Sequence, residues 1–374
     1  METITMKRKS LPEDVVMLIL AQLPVKSIMR FRCVSKQWHS LLCSSYFRDL
    51  HRSIQDAKGN RHFLISLSHD RLDLCLHAIS EDNDDKRPTL VGRITNVAGG
   101  HKARLAAPPC EGLVCLSVDE QQSVIVCNPT TREVVCIPDA TPHHSKLFDG
   151  SLLGLGVDSV TKEHKLVRLF TREGPDSLAL PTFEECEVYT LGSAGWRPLG
   201  EIPYLLSWRS PALVNGALHW IACAINSGWL CIAAFDLHEE RFRPISHPSC
   251  FKNSLGWPIM ELLEMGGRLC VMHHWRVTGV EIWVLEGYEE GTWVKKHSIN
   301  IHSIERYHLN ELFTHDTHLS TIITANARFC WLSTYLLYTY DPTTGTLRRF
   351  DVQSANDYKY CNLCTMSLIP LVDN

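Results

Sequence analysis

The chain has 374 residues, of which 45% are hydrophobic and 21% charged, an ordinary globular balance that excludes fibrous and disordered classes. Its 37 basic and 41 acidic side chains give a net charge of −4, so there is no basic excess to form a nucleic-acid footprint. No apolar run approaches the roughly 20 residues that a membrane helix needs, and Met1–Lys9 has no apolar stretch of the kind a secretory leader carries.

The N-terminal segment is the greasiest part of the chain. Between Leu11 and Leu42 it carries apolar residues far in excess of what so short a stretch can bury alone, because chains under about 40 residues rarely close their own core. Ser10 and Glu13 have S-x-x-E capping-box spacing, with Pro12 tolerated in the first turn. A helix is expected from there to about Gln22. Its run Val15 to Leu20 is apolar on every side, and such a helix must be covered on every side. Pro24 interrupts it, a second helix is expected over Lys26–Arg32, and Ser35 caps a third running through Trp38 to Leu42. Phe31 and Trp38 read as interior to this three-helix unit.

From about Gly59 the texture changes to short β-branched and aromatic runs separated by turn residues, with none of the long helices of an α/β fold. Representative strands are Leu113–Val118, Ser123–Cys127, Leu152–Asp158, Ala217–Ala222, Trp229–Asp236 and Val280–Leu285. They recur as a unit: a strand opened by Gly, a strand ending in an Asp or Asn turn, and a strand resumed after it. The units beginning at Gly112, Asn215 and Gly266 show it best. A period of roughly 40–50 residues is that of propeller repeats, and it leads to an expected six or seven blades.

The fifteen cysteines are scattered, and Cys115, Cys127, Cys136, Cys231, Cys270 and Cys330 lie in apolar strand-like runs. The odd count and that pattern point to reduced core thiols and to a cytoplasmic or nuclear protein. Cys361-Asn362-Leu363-Cys364 has no second pair to complete a zinc tetrahedron, and His315-Asp316-Thr317-His318 and His273-His274 are equally unsupported as ligands. Gly154-Leu155-Gly156 lacks the third glycine of a dinucleotide fingerprint, since Ser159 stands in its place and no helix follows. No nucleophile elbow or phosphate-binding loop is present. No catalytic residue, metal or cofactor is therefore assigned.

Two sets of residues carry a family resemblance. Leu11-Pro12-Glu13-Asp14, Leu23-Pro24-Val25-Lys26-Ser27 and Phe31-Arg32-Cys33-Val34-Ser35-Lys36-Gln37-Trp38 resemble an F-box, three pieces in order with the right spacing. Cys110-Glu111-Gly112-Leu113, Asn128-Pro129-Thr130-Thr131-Arg132, Gly154-Leu155-Gly156-Val157-Asp158, Leu218-His219-Trp220, Phe235-Asp236-Leu237 and Ile282-Trp283-Val284-Leu285 resemble the plant F-box-associated, S-locus-F-box-like or F-box-kelch class. The resemblance implies an F-box domain over residues 5–52 and a kelch-like β-propeller over 60–370, hence an α plus all-β protein.

It also implies a substrate receptor of a Skp–cullin–F-box ubiquitin ligase, without chemistry of its own. A Skp-type adaptor would bind Leu11, Pro12, Ile19, Leu20, Leu23, Pro24 and Val25, and through it a cullin scaffold. An unidentified protein target would sit on propeller loops, and nucleic acid and membrane are not expected partners. The longest expected loops are 139–150, 173–182, 203–209, 247–257 and 301–318. They carry Phe148, Tyr204, Trp208, Arg209, Phe251, Trp257, Arg306 and Tyr307, residue types enriched in binding hot spots, with packing between blades as the alternative for each. Two other readings stay open: an F-box protein acting outside the ligase, and a propeller that binds a small ligand or glycan.

Overall fold

The computed structural model describes residues 11–57, 63–68, 70, 72–78, 89–118, 123–138, 152–170, 185–207, 209–225, 229–253, 260–275, 279–300, 320–323, 329–332, 336–341, 346–351 and 361–371. Helices come first: α1 (Glu13–Ala21), α2 (Val25–Phe31), α3 (Lys36–Cys43) and α4 (Ser45–Ala57). Pro12 and Pro24 are the N-cap residues of α1 and α2, and neither makes a side-chain cap bond; the expected Ser10 partner of a capping box lies outside the described residues. Ser35 does cap α3, its hydroxyl accepting from the Trp38 amide at 3.2 Å.

The fourth helix corrects the three-helix expectation. Ser44 accepts from the Phe47 amide at 3.2 Å, and Phe47, Leu50, His51 and Ile54 then recur at helical spacing. Phe47 and His51 are buried. With Leu20, Ala21, Val25, Ile28 and Leu42, Phe47 forms the helical core, and one further buried member is Leu368, from the far end of the chain.

The described β-strands group into six antiparallel sheets. The first contains β1 (Phe63–Leu67), β2 (Leu74–Ala78) and β3 (Thr89–Ile94). The second is β4 (Ala103–Leu105), β5 (Val114–Val118), β6 (Val124–Asn128) and β7 (Glu133–Ile137). The third is β8 (Leu152–Val157), β9 (His164–Phe170), β10 (Glu185–Thr190) and β11 (Arg197–Glu201). In the fourth, β12 (Tyr204–Leu206) and β13 (Ala212–Val214) both pair with β14 (Ala217–Ala224), followed by β15 (Leu230–Asp236) and β16 (Arg241–Ile245). The fifth is β17 (Met260–Met265), β18 (Arg268–Trp275), β19 (Gly279–Gly287) and β20 (Thr292–Asn300). The sixth is β21 (Ser320–Ile323), β22 (Phe329–Leu332), β23 (Leu336–Asp341) and β24 (Thr346–Asp351).

The last strand, β25 (Cys361–Cys364), returns to the first sheet and pairs with β1, with Phe63 opposite Cys364 and Ser66 opposite Cys361. The expected six or seven blades thus resolve into five blades of consecutive strands and one composite sheet shared by the two ends of the chain. Neighbouring sheets touch in sequence, and β21 meets both β17 and β25, so the ring closes as a propeller.

The core lies between sheets. Leu74, Leu76, Val114 and Leu116 fill the gap between the first and second. Cys115, Val126, Leu155 and Leu166 fill the next. Leu152, Val167, Trp220 and Phe235 join the third and fourth, and Ile221, Ile232, Val271 and Leu285 the fourth and fifth. Gly154 and Gly156 make the third junction possible: a Cβ there would lie 2.7 Å from Leu218 and 2.5 Å from Leu237. The fourth strand of a sheet is its exposed edge, as Arg197–Glu201 and Arg241–Ile245 show.

Candidate functional site

Helix α1 is apolar on two sides and covered on one. Leu20 and Ala21 are buried, and Val16, Met17 and Leu23 pack partly buried beside them. Leu11, Val15, Leu18 and Ile19 remain 60%, 38%, 49% and 50% exposed. Val15, Leu18 and Ile19, spaced three and one apart, lie on one stripe along the outside of the helix, and Leu11 is exposed just ahead of its Pro12 N-cap. An uncovered apolar stripe on so small a helical unit marks an interaction surface. Glu13 and Asp14 occupy the first turn, where the helix dipole favours acidic groups.

The helical unit is fastened to the propeller at a turn before β5. Glu111 adopts φ 47°, next to Gly112 at φ 84°. Its carboxylate takes Arg52 of α4 at 2.6 Å and His164 of β9 at 3.2 Å. Burial pushes the Glu111 pKa up, but hydrogen bonds from His164 and Arg52 and the Arg52 charge outweigh it, and the group stays below its ordinary value. Lys26 of α2 also donates to the Val91 carbonyl of β3.

Strand alternation then assigns the faces. A blade of four antiparallel strands ends on the face where it began, and β12 and β13 count together as one inner strand. The segments 139–150, 247–257 and 301–318 follow the fourth strand of a blade, and 173–182 joins β9 to β10, whereas the expected loop 203–209 contains strand β12. The strand ends that bound these four loops open on one face. The turns at 110–113, 129–132, 158–163 and 237–240 lie on the other, where Glu111 meets α4. The described β14–β15 connection belongs to the loop face, and it carries two large exposed apolar residues, Ile225 at 53% and Trp229 at 74%.

Residues 62–372 match the family described as the F-box associated beta propeller domain, and residues 9–50 match the F-box domain. The chain belongs to the F-box proteins with an F-box-associated β-propeller. Its relatives include three Arabidopsis thaliana proteins. An F-box protein is 30% identical over 76% of this chain and 71% of its own length. An F-box/LRR-repeat/kelch-repeat protein is 28% identical over 80% and 79%, and another F-box protein is 27% identical over 78% and 73%.

Of the adaptor contacts expected for this F-box protein, Ile19 lies on the outer stripe and Leu11 is exposed just ahead of the helix. Pro12 and Pro24 are exposed and start helices. Leu20 and Val25 are each only 4% exposed and sit in the helical core, and Leu23 packs partly buried against it. Val15 and Leu18 were not anticipated. Helical phase from Ile19 could have found them: Val15 lies one turn before it and Leu18 beside it on the same face.

Among the expected target residues, Tyr204 and Phe251 are buried between blades. Tyr204 packs beside Phe242 and Trp220, and Phe251, in a 3-10 turn over Ser249–Asn253, stacks on His247. Arg209 is part-exposed and donates to Glu261 at 3.0 Å. Phe148, Trp208, Trp257, Arg306 and Tyr307 lie outside the described residues. The resemblance motifs of the F-box-associated domain turn out to be structural. Asp158 Oδ1 takes the amides of Val160 and Thr161 while Oδ2 accepts from buried Lys165, and Asp236 takes the amides of His238 and Glu239.

Among the described residues no group of three or more His, Cys, Asp or Glu could hold a metal ion. Burial pushes the Cys115 and Cys364 thiols up to about 12, so at neutral pH neither is a thiolate. No helix among the described residues is long and apolar enough to cross a membrane.

Proposed function

We propose that this F-box protein is the substrate-recognition subunit of a Skp–cullin–F-box ubiquitin ligase. The outer stripe of α1 docks a Skp-type adaptor, which connects it to a cullin scaffold, and the loop face of the propeller carries the protein to be ubiquitinated. The observation that carries the proposal is the uncovered stripe Val15, Leu18 and Ile19 on the first helix of an F-box, with exposed Leu11 just ahead of it. A helix apolar all round needs a second cover, and the helical core with Leu368 supplies only one.

The contribution of the subunit is proximity: a target held beside a charged ubiquitin carrier meets it at high effective concentration. The propeller is the rigid support and its loops the recognition surface, with Trp229 and Ile225 as described apolar points on it. The reduced, buried thiols fit a cytoplasmic or nuclear setting.

Co-expression with a Skp-type adaptor tests the proposal. A stoichiometric complex is expected on gel filtration, and with cullin and a charged ubiquitin carrier it should place ubiquitin on proteins captured by the propeller. A protein that stays free of the adaptor contradicts the docking. A complex that forms but never supports ubiquitin transfer contradicts the ligase role.

A further inference from the structure

Beyond β25 the chain does not turn away into solvent; it crosses from the propeller into the helical core. Met366 packs partly buried against both the first interblade core and the helical core, and Leu368, 4% exposed, lies wholly among the helices. The crossing is clamped by the second blade. The Asn128 side-chain amide donates to the carbonyls of Ser367 at 3.3 Å and Ile369 at 2.8 Å. The Ser367 amide donates to the Thr130 hydroxyl at 3.3 Å, and the Leu371 amide to the Glu133 carboxylate at 2.8 Å. Gly112 lies flush beneath: a Cβ there would stand 2.4 Å from the Ser367 side chain and 2.7 Å from the Thr365 carbonyl.

Two consequences follow from this placement. The strand that shuts the ring, β25, and the residue that fills the helical core, Leu368, are four positions apart on one extended segment. An open ring therefore also leaves a hole in the helical core. The Asn128-Pro129-Thr130-Thr131-Arg132 turn and the Cys110-Glu111-Gly112-Leu113 turn, which touch neither the adaptor stripe nor the loop face, have their role here.

We infer that residues 365–371 are a latch that couples closure of the propeller ring to the integrity of the helical domain, so that the adaptor-docking helix is held in place only when the ring is shut. The part that concerns the adaptor rests on the docking proposed above; the latch itself rests only on the contacts of this chain.

Asn128→Asp is the informative substitution. It keeps the Oδ1 acceptor that caps the Thr130 and Thr131 amides and removes the Nδ2 donor to the latch. Hydrogen exchange of the full chain is compared for wild type, Asn128→Asp and Leu368→Ala. In both variants the amides of α1 and α4 are expected to exchange at least tenfold faster, although residue 128 touches neither helix, while β18 and β19 keep wild-type protection. Wild-type protection of the helices in Asn128→Asp overturns the latch, and should Leu368→Ala fail to fold, that variant still decides the matter. In a second arm, affinity for a Skp-type adaptor is expected to weaken at least fivefold in Asn128→Asp. A wild-type chain that binds no adaptor defeats the docking proposal and leaves the exchange result to judge the latch.

Discussion

Arg52 of α4 donates to the Glu111 carboxylate at 2.6 Å and so joins the helical domain to the propeller by a charge pair. The pair is half open to water, with the Arg52 side chain 43% and Glu111 25% exposed. Such pairs are worth at most about 1 kcal/mol, whereas truncating a buried leucine costs about 2–5 kcal/mol. Arg52→Ala is therefore expected to lower stability by less than about 1 kcal/mol in urea unfolding, and Leu368→Ala by more than twice that. The apolar latch, not the ion pair, carries the junction. Equal losses in the two variants would contradict this ranking.

The two sides of α1 should separate cleanly under mutation. Leu18→Asp or Ile19→Asp changes a half-exposed position and is expected to shift stability by no more than about 0.5 kcal/mol while abolishing adaptor capture. Leu20→Ala opens a hole in the core and is expected to cost about 2–5 kcal/mol. Urea midpoints with a pull-down on each variant check both expectations.

That separation also shows what the sequence could and could not reveal. The F-box was legible because Leu11-Pro12, Leu23-Pro24 and Trp38 recur at fixed spacing. The side of α1 that faces inward was not, because Val15 to Leu20 is apolar throughout and its phase is set by α4 and by Leu368, at the other end of the chain. Strands with both faces buried, such as Val124–Asn128, were readable from composition. Arg197–Glu201 was not, being an exposed edge that carries Pro and Gly and pairs only with β10. The pairing of β25 with β1 depends on ring closure, which no local pattern encodes. The same is true of Tyr204 and Phe251, whose aromatic rings look like hot spots in sequence and fill interblade space in the structure.

Glycine at the third junction gives a sharp test of blade packing. In Gly154→Ala the added Cβ meets Leu218 at 2.7 Å and Trp220 and Pro211 at 3.2 Å, in a core with no slack. Overpacking of this kind is expected to cost about 1–3 kcal/mol. Gly195→Ala, where nothing lies within 4 Å of the new atom, should be close to neutral. Thermal unfolding of the pair measures the difference.

His219 makes the fold sensitive to mild acid. It is fully buried: its Nδ1–H donates to the Ala212 carbonyl at 3.1 Å, and Nε2 accepts from the Tyr288 hydroxyl at 2.6 Å. Burial is the main reason its pKa falls from 6.5 to about 4, with the Arg243 charge acting the same way. Between those values the unfolded chain binds more protons than the folded one, so stability is full above pH 6.5 and declines as pH falls toward 4. The loss from this group reaches about 3 kcal/mol. Urea midpoints at pH 7 and pH 5 should differ in wild type and differ less in His219→Gln.

Thiol reactivity should follow burial. Cys33 and Cys136 are exposed, whereas Cys110, Cys115, Cys127, Cys270 and Cys364 are buried with raised pKa values. A thiol reagent at neutral pH is expected to label the first two promptly and the other five only on unfolding, as peptide mapping would show.

The central claim is that the outer stripe of α1 docks a Skp-type adaptor. Isothermal titration of the full chain with that adaptor, for wild type and Ile19→Asp, tests it most directly. Docking on α1 predicts saturable one-to-one binding by wild type and at least a hundredfold loss in a variant whose unfolding midpoint is unchanged. Equal affinity in both proteins, or no binding by wild type, would contradict it.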